Sequence, residues 1–122
     1  MHTITWLFLI AALLPIIAAG CAKAGAKGFD NEQPRPWLAA LQGWRARANA
    51  AQTNTFEALP FFFAACLYAL HQNANPGWLA GLMGAWIIVR LGYLACYIGG
   101  YGTLRSLVWT LALALNIAIL FA

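Results

Sequence analysis

Residues 43–63 read GWRARANAAQTNTFEALPFFF. The 122-residue chain carries seven Lys and Arg and three Asp and Glu, and Arg45, Arg47 and Glu57 all fall in this one stretch. It opens polar, passes through Asn49, Gln52 and Asn54, and closes in Pro60, Phe61, Phe62 and Phe63. The pattern predicts a helix that starts in water and runs into hydrocarbon. At about 100° per residue, Arg47, Ala50, Asn54 and Glu57 share one stripe of that helix. A carboxylate and an amide just inside an apolar run are costly to bury. They are therefore candidates for function and need a partner elsewhere in the chain.

The rest of the composition sets the class. The sequence is 63% hydrophobic and 8% charged, against about 25% charged in an ordinary soluble domain. It cannot cover a globular surface with so few polar groups. An all-α integral membrane protein follows, one domain spanning residues 1–122, with room for about four crossing helices of ~20 residues. The net charge of +4 is too small and too localised to indicate nucleic acid. Cys21, Cys66 and Cys96 have no paired spacing and read as small packing residues, not as disulfides or metal ligands.

Outward from the opening stretch, the helices are expected at about 4–21, 44–71, 77–98 and 103–121. The first contains Pro15, which membrane helices tolerate. A rival reading takes Ala18-Ala19-Gly20-Cys21 as a lipoprotein cleavage site, but Met1-His2-Thr3 lacks the basic start of a signal segment. Residues 22–43 form a polar connection in which Pro34 and Pro36, flanking Arg35, argue against a regular helix. The second helix is ~42 Å long at 1.5 Å per residue, more than the ~30 Å hydrocarbon core. Its first turns, with Arg45 and Arg47, project from the membrane. Gly77, Gly81 and Gly84 give the third helix a small-residue edge suited to close helix contact. Near its far end Arg90, Tyr93 and Tyr97 recur on one face. Thr103 is placed to cap the last helix, and Arg105 sits in its first turn.

The basic residues also predict topology. Lys23, Lys27, Arg35, Arg45, Arg47 and Arg105 flank the first and third connections, while the Gln72–Pro76 turn has neither Lys nor Arg. The positive-inside rule then puts both termini on the non-cytoplasmic side. Glu57 and Arg90 come to similar depth from the cytoplasmic leaflet and are expected within salt-bridge reach, in one subunit or across a subunit boundary. They can share a cavity with Tyr93, Tyr97 and Arg105. Arginine forks bind carboxylates, and a carboxylate with an amide suits an ammonium and peptide groups. Glutathione has that complementary chemistry, and a cation at a helix N-terminus near its sulfur would favour the reactive thiolate.

The run Arg45-Ala-Arg47-Ala-x-x-Ala51-x-x-Asn54-x-x-Glu57-x-x-Pro60-x-Phe62 resembles the second-helix signature of the MAPEG family, the membrane-associated proteins in eicosanoid and glutathione metabolism. Arg90-x-x-Tyr93-x-x-x-Tyr97, a short turn and Arg105 resemble its second half, in a bacterial-type member. The resemblance implies a four-helix bundle assembled as a homotrimer, with glutathione as thiol co-substrate between subunits and no metal. Arg47, Asn54, Glu57, Arg90, Tyr93 and Tyr97 would hold glutathione. Arg105 would be the catalytic residue, stabilising the thiolate that attacks or reduces a hydrophobic electrophile from the bilayer. One position departs from several eukaryotic members, which carry an arginine four residues before the asparagine; here it is Ala50, and Arg47 is the nearest substitute. The alternatives are a small multidrug transporter, disfavoured because the first helix has no acid, and a catalytically silent scaffold of the same fold.

Overall fold

A computed structural model of the protein describes residues 2–122. The chain is helical: α1 (His2–Lys23), α2 (Pro34–Ala39), α3 (Trp44–His71), α4 (Pro76–Gly99) and α5 (Gly102–Leu120). Among the described residues no strand is present. α3 and α4 are the inner pair: each packs on the other, on α1 and on α5.

Local chemistry sets the helix ends. α3 runs without a break through Pro60 and stops before Asn73, which takes a left-handed φ of 60°. Asn75 caps α4 by accepting a hydrogen bond from the Trp78 N–H at 3.0 Å, with Pro76 in the first turn, where its missing N–H costs nothing. α4 ends at Gly100, whose φ of 81° suits glycine, and the Tyr101 N–H reaches back to the Cys96 carbonyl at 2.9 Å.

Two expectations need correcting, and a third is not met within the chain. The connection at 22–43 does contain a helix, α2, because Pro34 and Pro36 fall in its first turn and not in its interior. α5 starts at Gly102 with Tyr101 at the cap position and no side-chain cap, so Thr103 lies inside the helix. The glycine edge of α4 is not used within the chain: a Cβ on Gly81 or Gly84 would meet nothing within 4 Å.

The core is built around a Phe62–Trp86 stack with centroids 3.9 Å apart and planes at 16°. Ile4, Leu14, Leu79, Met83 and Ile119 close around it, and the thiol of Cys66 is buried with them. Towards the other end, Ala18, Ala51 and Leu94 form a small second cluster against Tyr97. Short side chains there let α1, α3 and α4 approach closely.

α1, α4 and α5 are each long and apolar enough to cross a membrane. Their outward faces carry Trp6, Ile16, Ile88 and Leu107 in exposed positions. An apolar exterior of this kind is stable against lipid or another apolar surface, not against water. The molecule is an integral membrane protein.

Candidate functional site

The first two arginines of α3 bind backbone. Arg45 donates from Nη1 to the carbonyls of Ala22 and Ala24 at the end of α1, and its guanidinium lies 4.4 Å over the Trp44 ring. Arg47 donates from Nε to the Ile98 carbonyl at 3.0 Å and packs along Gly100. Helix C-termini leave their last carbonyls without partners and carry partial negative charge, so a guanidinium satisfies both needs. The two arginines thus tie the start of α3 to the ends of α1 and α4.

Further along α3, Asn54 and Thr55 meet Arg90 of α4. Arg90 Nη2 donates to Asn54 Oδ1 at 2.9 Å and to Thr55 Oγ1 at 3.3 Å. The Thr55 hydroxyl in turn donates to the Ala51 carbonyl at 2.7 Å, which leaves its lone pairs facing Arg90. Arg90 is buried. Its guanidinium carbon lies 4.1 Å from the Tyr93 ring centroid. Tyr93 meets Tyr97 edge to face at 5.7 Å and 84°. Tyr97 then receives the Arg105 guanidinium at 4.5 Å. Two cations and two phenol rings therefore form one continuous run along the second half of α4 to the first turn of α5. Each cation–ring contact is worth about 0.5–2 kcal/mol, the larger values where water is excluded.

Two cavities flank this run. The outer one, ≈ 480 Å³, is lined by Asn54, Tyr93, Tyr97 and Arg105, with Ser106 and Thr110 adding hydroxyls. The inner one, ≈ 230 Å³, includes Glu57, Arg90, Trp86 and Asn116 in its wall. Asn54 and Trp109 line both, so the cavities adjoin along those two side chains.

The candidates from the sequence are thus divided by the fold. Asn54, Glu57, Arg90, Tyr93, Tyr97 and Arg105 line one or other cavity. Arg47 lines neither, because its guanidinium is held at the end of α4. Ala50, at the position of the departing arginine, is half-buried. Among the described residues no ion pair joins Glu57 to Arg90 within the chain. Arg90 has taken the neutral oxygens of Asn54 and Thr55, one turn before Glu57. Glu57 is exposed, at the wall of the inner cavity. Thr55, Trp86, Trp109 and Asn116 were not singled out from the sequence. Asn116 had a readable signal, a lone amide in an apolar helix; Thr55 and the tryptophans had none.

The walls offer both free donors and a free acceptor. Arg105 offers guanidinium donors that take no protein acceptor among the described residues. In the adjoining inner cavity the buried Nε of Arg90 is also without a partner, and Glu57, in no ion pair among the described residues, lines the same wall. Together they supply donors for carboxylate or thiolate and an acceptor for an ammonium.

Set against models of known protein families, the chain matches the one described as MAPEG family over residues 3–122. No curated protein and no solved structure matches it.

Proposed function

The chain belongs to the MAPEG family, membrane proteins of glutathione and eicosanoid metabolism, and we propose that it is a glutathione-dependent transferase or peroxidase acting on hydrophobic electrophiles. The observation that carries this reading is the free guanidinium of Arg105, over Tyr97, on the wall of a polar cavity of ≈ 480 Å³.

Asn54, Glu57 and Arg90 hold the peptide, amino and carboxylate groups of glutathione, with hydroxyl contacts from Tyr93 and Tyr97. Arg105 lies near the open N-terminus of α5, where its full charge adds to the partial positive charge of the helix end. A thiol with a free pKa of about 8.5 then ionises nearer neutrality, and the thiolate is the nucleophile. An electrophile reaches it from the lipid side. The exposure of Glu57, with no ion-pair partner among the described residues, favours a site completed by a neighbouring subunit, in a homotrimer. α3 crosses the bilayer with the three more apolar helices. The ends of α1 and α4 then face the cytoplasm and both termini face away. A cytoplasm-dependent reporter fused at Ala122 stays silent if that orientation holds.

The test of function is glutathione binding to detergent-purified protein, followed by the absorbance of bound thiolate. Saturable binding with a thiolate signal at neutral pH is expected. Absence of both would leave a silent scaffold of the same fold.

A further inference from the structure

The inner cavity holds more polar chemistry than glutathione needs. Trp86 Nε1 and Asn116 Oδ1 are both buried without a hydrogen-bond partner, on side chains 0% and 5% exposed. Both residues line the ≈ 230 Å³ space between α3, α4 and α5. A buried polar atom without a partner is destabilising in any protein, and more so at membrane depth, where water is scarce. The ring of Trp86 is committed to packing by its stack on Phe62, so Phe there would keep an aromatic ring in the stack and remove the N–H, at the cost of some buried volume. Asn116 lies seven residues beyond Trp109, which separates the two cavities, or ~10 Å deeper along α5. From Arg105 the distance along the helix is ~16 Å.

We infer that Trp86 and Asn116 form an anchor site for the O–H group of a long, otherwise apolar molecule whose reactive end lies beside Arg105. An O–H oxygen accepts from the Trp86 N–H, and its hydrogen is donated to the Asn116 carbonyl. The apolar remainder follows Phe61, Ala112 and Leu113. A hydrocarbon end would leave both polar atoms unpaired, so the site selects a hydroxyl or hydroperoxide over a methyl group. Only the placement of the reactive end rests on the thiol-transfer reading; the anchor does not.

The experiment uses the purified full-length protein in detergent, with wild type, Asn116→Leu and Trp86→Phe. Binding of 1-dodecanol is compared with that of tridecane, its methyl-ended match, by calorimetry without glutathione. Wild type should prefer the alcohol on the order of tenfold, and each variant should lose most of that preference. Trp86→Phe keeps the test valid if Asn116→Leu disturbs assembly. Equal binding of the two probes by wild type, or a preference that survives both variants, overturns the anchor and assigns the polar atoms to trapped water. Turnover is then measured with glutathione and two long-chain enones ending in hydroxyl or methyl. The ratio of their kcat/KM values should fall by a similar factor in the variants. Product formed with an unchanged ratio overturns the anchor and leaves the enzyme reading intact. An alcohol preference without any product supports the anchor and removes the enzyme reading.

Discussion

Two regions of this bundle use arginine in opposite ways. At the ends of α1 and α4, Arg45 and Arg47 hydrogen-bond backbone carbonyls. Between α3, α4 and α5, Arg90 and Arg105 lie against phenol rings. A carbonyl consumes a donor and fixes the side chain. A ring face steadies the cation from one side and leaves its N–H groups directed elsewhere. The same residue type is therefore a fastening in one region and an available cation in the other. The distinction rests on what surrounds the guanidinium, not on depth, since Arg47 and Arg105 are both half-buried near one end of the bundle.

The largest expected effect breaks the comparison at its functional side. Arg105→Leu removes the cation with most of its donors free. Turnover with a model electrophile should fall by about a hundredfold, the scale of losing one stabilising donor for a developing or bound anion. The bound thiol should ionise at higher pH, because a positive neighbour lowers its pKa and the variant lacks one. The rate–pH profile therefore moves upward. Thermal stability in detergent should change little. An unchanged thiolate absorbance would assign activation to another group.

Arg47→Met attacks the fastening side. Its hydrogen bond from a charged donor to the Ile98 carbonyl is worth about 1.5–3 kcal/mol, and its loss should lower the thermal midpoint in detergent. The Michaelis constant for glutathione separates the two roles that Arg47 could have. A fastening leaves it near the wild-type value in the folded fraction, whereas a ligand contact raises it.

That division was only half legible in the sequence. The membrane class, the extent of α3 and the grouping of Tyr93, Tyr97 and Arg105 were readable, because helical periodicity and charge scarcity are local signals. Which arginine meets which acceptor was not. The sequence paired Glu57 with Arg90 on charge and depth; within the chain Arg90 instead takes the oxygens of Asn54 and Thr55, since helix rotation decides which turn faces α4. Arg47 shares a stripe with Asn54 and Glu57 on paper, yet the end of α4 lies beside it and captures it. Capping of one helix by a side chain of another depends on tertiary placement. Trp86 looked like one apolar residue among many, and its unpartnered N–H exists only once Phe62 has fixed the ring.

A smaller effect sharpens the comparison at Arg90, which mixes both modes: two oxygens on one nitrogen and a ring beneath. Thr55→Val keeps the shape of the side chain and removes the hydroxyl that accepts from Arg90 and donates to Ala51. The cost should be about 1 kcal/mol. Glutathione affinity should drop severalfold if the hydroxyl fixes the guanidinium for ligand contact. Unaltered affinity with the same loss of stability would make Thr55 a packing group only.

The smallest effect concerns Tyr97, and it tests whether a ring face is what holds Arg105 ready. The contact runs from the guanidinium carbon to the ring centroid, 4.5 Å away, and does not require the hydroxyl. Tyr97→Phe keeps the face, so kcat/KM should stay within about twofold of wild type. Tyr97→Leu removes the face, and a half-exposed cation–ring contact is worth about 0.5–1 kcal/mol, or roughly two- to fivefold in rate. The two variants should therefore differ, with Leu the slower. If Phe and Leu lose activity equally, the hydroxyl is the working part of Tyr97, donating to the thiolate in its own right. Arg105 would then be steadied by something other than the ring, and the contrast between the two regions would have to be redrawn around the phenol oxygen.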